Sequence, residues 1–218
     1  MLLKENGQKR LKQNKINKRF VYLVSPNKIK DSKFYVDLEQ VLKSNKISFF
    51  QLRLKNETAR NKISIGKKIK KICKKNKVKF LVNDEPYIAK KLNIDGCHIG
   101  QKDMDFLSSR NILGKKKIIG MTCHNSKKLA LNAKNNGADY VAFGSFFKSL
   151  TKKTPYKANL EILRWAKKKI NMPIVAIGGI TSSNYRRILL NGANFVACSS
   201  DIWNNKKLDP LSAIKKFK

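Results

Sequence analysis

The sequence predicts an α/β chain folded as a single (β/α)8 TIM barrel, and three observations carry that prediction. Short apolar runs alternate with stretches of helical spacing eight times, at roughly 25–30 residues per unit. The runs are continuous, as expected of strands in a parallel sheet covered on both faces. The first run is not followed by the GxGxxG turn of an open dinucleotide-binding sheet, and no domain-sized linker divides the chain. At 218 residues, 41% of them hydrophobic, the chain is long enough for one barrel and its core.

Taken in order, residues 1–19 are polar and lysine-rich and read as a basic N-terminal arm ahead of a barrel domain spanning residues 20–218. Phe20–Val24 is the first strand, closed by Ser25-Pro26, and a helix is expected over Ser32–Asn45 through Phe34, Leu38, Val41 and Leu42. Ile47–Leu54 is the second strand, and Glu57–Asn76 a long helix with Ile63, Ile65, Ile69 and Ile72 inward. Val78–Val82 runs into Asn83-Asp84. A short helix through Ile88, Ala89 and Leu92 then leads to the brief strand Gly96–Ile99. The second half repeats the scheme: strand Lys117–Met121, helix Ser126–Asn136 stopped by Gly137, strand Tyr140–Phe143, helix Leu160–Ile170. Strand Pro173–Ile177, helix Ser182–Asn191, strand Phe195–Ser199 and a last helix near Pro210–Phe217 complete it.

The formal charge of +35 comes from lysines spread through almost every helix, which reads as solvated helix faces in a chain biased towards Lys, Asn and Ile. A specific nucleic-acid partner is not expected, and a polyanion-binding surface is the alternative. No apolar stretch reaches membrane-spanning length, and the basic start lacks the apolar core of a signal peptide, so a cytoplasmic protein without a membrane partner is expected. The oligomeric state is left open, a homo-oligomer included. Cys73, Cys97, Cys123 and Cys198 form no CxxC pair and read as buried reduced thiols; zinc at Cys97–His98 and Cys123–His124 is the alternative.

In a barrel the C-terminal strand ends converge on one mouth. Those ends carry Gln51, Arg53 and Lys55; Asn83 and Asp84; His98, Gly100 and Gln101; Thr122 and His124. Later strands add Gly144 with Ser149, Thr151 and Lys152, then Gly178-Gly179 and Ser199-Ser200. Arg53, Lys55 and Lys152 are cations suited to clamping a diphosphate. Asp84 and Asp103 are carboxylates suited to Mg²⁺ bridging diphosphate oxygens. Gly178-Gly179 and Ser199-Ser200 follow strands seven and eight, the usual barrel position for a single phosphate held by backbone N–H groups. The reaction implied removes a diphosphate from one small phosphorylated partner and joins that partner to another.

The motifs QLRLK (Gln51–Lys55), VND (Val82–Asp84), DGCHIGQKD (Asp95–Asp103), GMTCH (Gly120–His124), the SLTK loop (Ser149–Lys152) and AIGGI (Ala176–Ile180) resemble the thiamine-phosphate synthase family, in order, over nearly the whole chain. The resemblance implies joining of hydroxymethylpyrimidine diphosphate to thiazole phosphate, with loss of pyrophosphate, through a pyrimidine-stabilised carbocation. It implies Gln51 at the pyrimidine; Arg53, Lys55 and Asn83 at the diphosphate, with the Thr122 hydroxyl near it; and Asp84 and Asp103 on Mg²⁺. Thr151 and Lys152 match the family's Thr-Lys pair, and Ser149 replaces its first Thr, so these three are expected to bind substrate. The resemblance puts Gly179 and Ser200 at the thiazole phosphate. His98 is a candidate for the pyrimidine pocket, and His124 for supporting a loop.

Leu54 and Lys102 replace acidic residues common in that family, and Glu85 stands where a basic residue is usual. Asp105 is the substitute for Asp103 as a metal ligand, and Asp103 itself can instead read as a helix cap. Two other readings compete: a thiazole tautomerase-like barrel without synthase activity, and a non-enzymatic barrel that binds polyanions.

Overall fold

Eight parallel strands close into a barrel in strict sequence order, each hydrogen-bonded to its chain neighbours and the last to the first. The structure, a computed structural model, describes residues 19–148 and 155–218. Residues 1–18 of the expected arm lie outside the described residues. Arg19 donates to the carbonyl of Lys77 at 3.0 Å and to Asn45 Oδ1 at 2.8 Å, which ties the start of the barrel to two loops at its base.

The strands are β1 (Val21–Val24), β2 (Ile47–Leu52), β3 (Lys79–Asn83), β4 (Gly96–Ile99), β5 (Ile118–His124), β6 (Tyr140–Phe143), β7 (Ile174–Ala176) and β8 (Phe195–Cys198). Around them lie α1 (Lys33–Lys43), α2 (Ala59–Lys75), α3 (Pro86–Leu92), α4 (Phe106–Leu113), α5 (Lys127–Asn135), α6 (Leu160–Lys169), α7 (Tyr185–Leu190), α8 (Ser200–Trp203) and α9 (Pro210–Lys215).

Because side chains alternate across a strand, the sheet builds two separate apolar clusters. The larger lies between sheet and helices and includes Leu23, Phe50, Phe80, Val141 and Val196. The smaller fills the barrel itself, with Tyr22, Leu81, Tyr140, Ala142 and Val175. Burying each large apolar side chain of the outer cluster contributes about 1.5–3 kcal/mol against chain entropy.

α2 shows how the outer helices attach. Thr58 caps it by accepting from the Asn61 N–H at 3.2 Å. Its buried stripe runs Lys62, Gly66, Ile69, Cys73, the spacing of one helix face, so a lysine occupies the first position of an otherwise apolar seam.

The structure departs from the sequence reading in three places. β5 continues to His124, so Thr122 and His124 belong to the strand instead of following it. α4 forms over FLSSRNIL, too short and too rich in Ser and Asn to declare itself by periodicity. α8 is a four-residue turn of helix opening at Ser200, between the eighth strand and the last helix, that the strand-and-helix reading did not place.

Candidate active site

The C-terminal ends of the strands surround a cavity of about 490 Å³. Gln51, Arg53, Lys55, Asn83, Asp84, Asp103, Thr122, Gly179, Ser199 and Ser200 all line it, as do His98 and His124. Ser149, Thr151 and Lys152 lie outside the described residues.

Register puts these groups side by side. Gln51 is paired with Leu81 across β2 and β3, Asn83 with His98 across β3 and β4, and Thr122 with Ala142 across β5 and β6. Two residues beyond Gln51 the chain leaves β2, and the Arg53 N–H donates to Ser25 Oγ at 2.9 Å, which fixes the exit of β2 to that of β1. The Arg53 guanidinium donates to Asn27 Oδ1 at 3.3 Å. Burial pulls its pKa below the usual value, while the neighbouring Asp84 carboxylate acts in the opposite direction. Lys55 stands exposed at the rim.

Asp84 occupies a left-handed turn at φ +63°, and its N–H donates to the His98 carbonyl at 2.7 Å. That turn aims its carboxylate at Asp103, whose own Oδ2 accepts from the Gly100 N–H at 2.7 Å. The Asn83 amide also donates to Asp84 Oδ2. Burial, followed by the facing Asp103 carboxylate, pushes the Asp84 carboxyl up to about 7, against the pull of Lys55 and Arg53. Two carboxylates turned toward one another beside two cations suit a divalent ion shared with phosphate oxygens. Among the described residues no three His, Cys, Asp or Glu side chains gather to hold a metal by themselves. Mg²⁺ needs fewer, since it commonly takes one or two carboxylates plus substrate phosphates.

Asp105 does not share this site. It caps α4, accepting from the Ser108 N–H at 3.0 Å, and that hydrogen bond lowers its pKa. Asp103 is therefore not the cap of α4. Lys102 lines the cavity beside Asp103. The four cysteines are buried and free.

Across the cavity, Gly178 and Gly179 take φ of +97° and +63°. A Cβ on Gly179 would stand 2.4 Å from the Lys148 carbonyl oxygen, so this turn closes against the β6–α6 connection only without a side chain. The Phe146 and Phe147 N–H groups donate to the carbonyls of Ile177 and Gly178 at 3.2 and 3.0 Å and lace the two loops together. Ser199 holds the N-cap position of α8 without a side-chain cap, and its hydroxyl donates to the Ser25 carbonyl at 3.1 Å. Ser200 opens α8 at the cavity wall.

The floor holds what the sequence reading missed. Gln51 Nε2 donates to Tyr22 Oη at 3.0 Å; Tyr22 and Tyr140 hydroxyls are 2.9 Å apart; His98 Nδ1 lies 2.9 Å from Tyr140 Oη and Nε2 2.8 Å from Thr122 Oγ1. Each phenol has one proton. With the Gln51 amide donating, the order that gives every proton an acceptor runs Gln51 to Tyr22 to Tyr140 to His98 to Thr122. His98 is then neutral, with its proton on Nε2, and the Thr122 hydroxyl proton is left for a ligand. Tyr22 and Tyr140 sit in apolar runs and carry no motif; only their inward phase on the strands marks them. Tyr140→Phe should cost about 1–3 kcal/mol in urea unfolding, because it strands the Tyr22 hydroxyl proton and leaves His98 Nδ1 without its Tyr140 bond.

At the mouth, His124 stacks on Tyr156 with ring centroids 3.7 Å apart, and its carbonyl accepts from the Gly144 N–H at 2.9 Å. It supports the β6–α6 connection, as the sequence suggested.

The family model described as thiamine monophosphate synthase matches residues 21–202. The thiamine-phosphate synthase of Pelagibacter ubique (strain HTCC1062) is 65% identical over 208 residues, 95% of this chain and 100% of that protein. The chain belongs to the thiamine-phosphate synthase family. The synthase of Rhodospirillum centenum (strain ATCC 51521 / SW) is 34% identical over 90% of this chain and 95% of its own length. Thiamine phosphate pyrophosphorylase from Pyrococcus furiosus superposes with a TM-score of 0.80 at 28% identity, over 92% of this chain and 94% of that one. A thiamine-phosphate synthase is a transferase of thiamine biosynthesis, and Arg53, Lys55, Asn83 and Asp84 all line the cavity.

Two of the residues read as departures from the family pattern, Leu54 and Glu85, are accommodated locally. Leu54 is 3% exposed and joins the outer core, and Glu85 turns to Lys62, with Lys62 Nζ 2.8 Å from its Oε2.

Proposed function

We propose that this chain joins hydroxymethylpyrimidine diphosphate to thiazole phosphate, releasing pyrophosphate and forming thiamine phosphate. The observation that carries the reading is one cavity with two chemically distinct ends. At one end Asp84 and Asp103 face each other beside Arg53 and Lys55; the Gly178-Gly179 turn and Ser200 line the other.

Gln51, oriented by Tyr22, holds the pyrimidine. Arg53, Lys55, Asn83 and the Thr122 hydroxyl bind the diphosphate, and Ser149, Thr151 and Lys152 join them from the β6–α6 connection. The bond between the pyrimidine methylene carbon and the diphosphate oxygen breaks, and its electron pair leaves with the diphosphate. The thiazole nitrogen then forms the new C–N bond to that carbon, while Gly179 and Ser200 hold the thiazole phosphate. The cations stabilise charge that develops on the leaving group, so no covalent nucleophile is required. Mg²⁺ held by Asp84 and Asp103, when bound, neutralises the departing diphosphate.

Among the described residues no helix is long and apolar enough to cross a membrane. We place the enzyme in the cytoplasm, with small phosphorylated molecules as its partners.

The reading is tested by thiamine-phosphate formation from the two substrates with Mg²⁺. Product that disappears with EDTA, and falls at least about 10²-fold in Arg53→Ala, supports it. Folded protein that makes none from either substrate pair overturns it.

A further inference from the structure

A lysine in the apolar seam of a helix needs a reason. Lys62 is 8% exposed and takes the first core position of α2, above Gly66, Ile69 and Cys73. Burying an ammonium group costs several kcal/mol unless it is paired, roughly in proportion to how dry the site is. Its partner is Glu85, at 2.8 Å.

Glu85 directly follows Asp84 and precedes Pro86, the first residue of α3. It holds the cap position without capping through its side chain; its backbone carbonyl accepts from the N–H groups of Ile88 and Ala89 at 3.1 and 3.2 Å. The carboxylate is thus free to leave the helix end, and it reaches out to α2, while Asn83 and Asp84 line the cavity. The left-handed residue Asp84 is held on one side by its N–H bond to the His98 carbonyl and on the other by Glu85 bound to Lys62.

We infer that the Lys62–Glu85 pair is a positioning device for the proposed metal site: it pins the β3–α3 turn to α2 and thereby sets the aim of Asp84 at Asp103. Neither side chain touches substrate. This inference rests on the reading of Asp84 and Asp103 as Mg²⁺ ligands.

Positioning and simple electrostatics predict opposite signs. Removing the Lys62 charge makes the surroundings of the carboxylates more negative and, by Coulomb attraction alone, would tighten a divalent cation. Loss of the pin loosens the carboxylate geometry and weakens it.

The probe is Mn²⁺ with inorganic pyrophosphate, its binding followed by EPR on the full chain, alongside Mg²⁺ titrations of the turnover rate. Lys62→Met is expected to bind Mn²⁺ about tenfold more weakly, in the range seen when groups supporting a metal ligand are removed. KM for the thiazole partner should stay near the parent value. The swapped pair Lys62→Glu with Glu85→Lys should restore most of the loss, since it keeps the bridge with its charges exchanged. Glu85→Gln, nearly isosteric, provides a folded comparison and should show a smaller weakening. Unchanged or tighter Mn²⁺ binding in folded Lys62→Met overturns the inference, as does a swapped pair that recovers nothing. A parent protein that binds no Mn²⁺ with pyrophosphate overturns the metal reading itself, an outcome distinct from variants that merely match the parent.

Discussion

Asp84→Asn should lower kcat/KM at least about 10²-fold, with stability little changed or slightly raised. The carboxylate is held in an unfavourable state in the metal-free protein: partly buried, in a left-handed turn, against Asp103. An amide removes the like-charge repulsion and can still bond to Asp103, but it is a poor Mg²⁺ ligand. Half of the test is therefore kinetic and half thermodynamic.

The pH dependence follows from the same group. The Asp84 pKa in the folded, metal-free protein is raised from 3.8 to about 7. A raised pKa contributes stability that is fully present below the unfolded value and is lost as pH rises through the folded one. Between pH 4 and pH 7 the metal-free protein should thus lose this increment, while Asp84→Asn should not. A metal competes with that proton, so Mg²⁺ with pyrophosphate should raise Tm more at pH 8 than at pH 6. Thermal melts with and without the pair at both pH values measure this. Equal shifts at both pH values would remove Asp84 from the metal site.

The second large effect is expected at Gly179. Gly179→Ala adds a methyl group 2.4 Å from the Lys148 carbonyl oxygen at a φ of +63°, so the turn must shift and the β6–α6 connection with it. KM for thiazole phosphate should rise about tenfold or more, with KM for the pyrimidine diphosphate changed much less. Gly137→Ala is the control: its φ is +82°, but a Cβ there meets nothing within 4 Å. It should cost about 1 kcal/mol of stability and leave both KM values alone. Matching kinetic effects in the two variants would mean that backbone strain, not closure of the phosphate turn, carries the Gly179 effect.

The barrel was legible because its strands are covered on both faces. Runs such as Tyr140–Phe143 and Phe195–Ser199 announce themselves without alternation, and Gly144 after the first of them marks where the chain turns. Most of the site was legible for a related reason: barrel chemistry collects where strands end, so Arg53, Asn83, Asp84 and Gly179 could be read off as boundary residues. What escaped lies within the runs. Tyr22 and Tyr140 look like any buried aromatic until the register turns their hydroxyls toward His98 and Gln51. Thr122 counted as a loop hydroxyl because β5 was drawn three residues too short at its C-terminal end. Lys62 was hidden among the many lysines of the helices, most of them solvated, so neither its type nor its spacing marked it as buried.

Gly120 lies under the ring of Tyr140, and a Cβ there would fall 1.9 Å from the ring carbon that carries the hydroxyl. The missing side chain makes room for the ring, whose hydroxyl bonds to Tyr22 Oη and His98 Nδ1. The ring lines the cavity and is expected to act as a depth stop for whatever enters from the mouth. Pyrimidine analogues with a longer substituent on the inward edge would press against this plate, and shaving it back at residue 140 would give them room. The limit on substrate size is thus expected at the bottom of the barrel, below the strand ends that are proposed to handle phosphate.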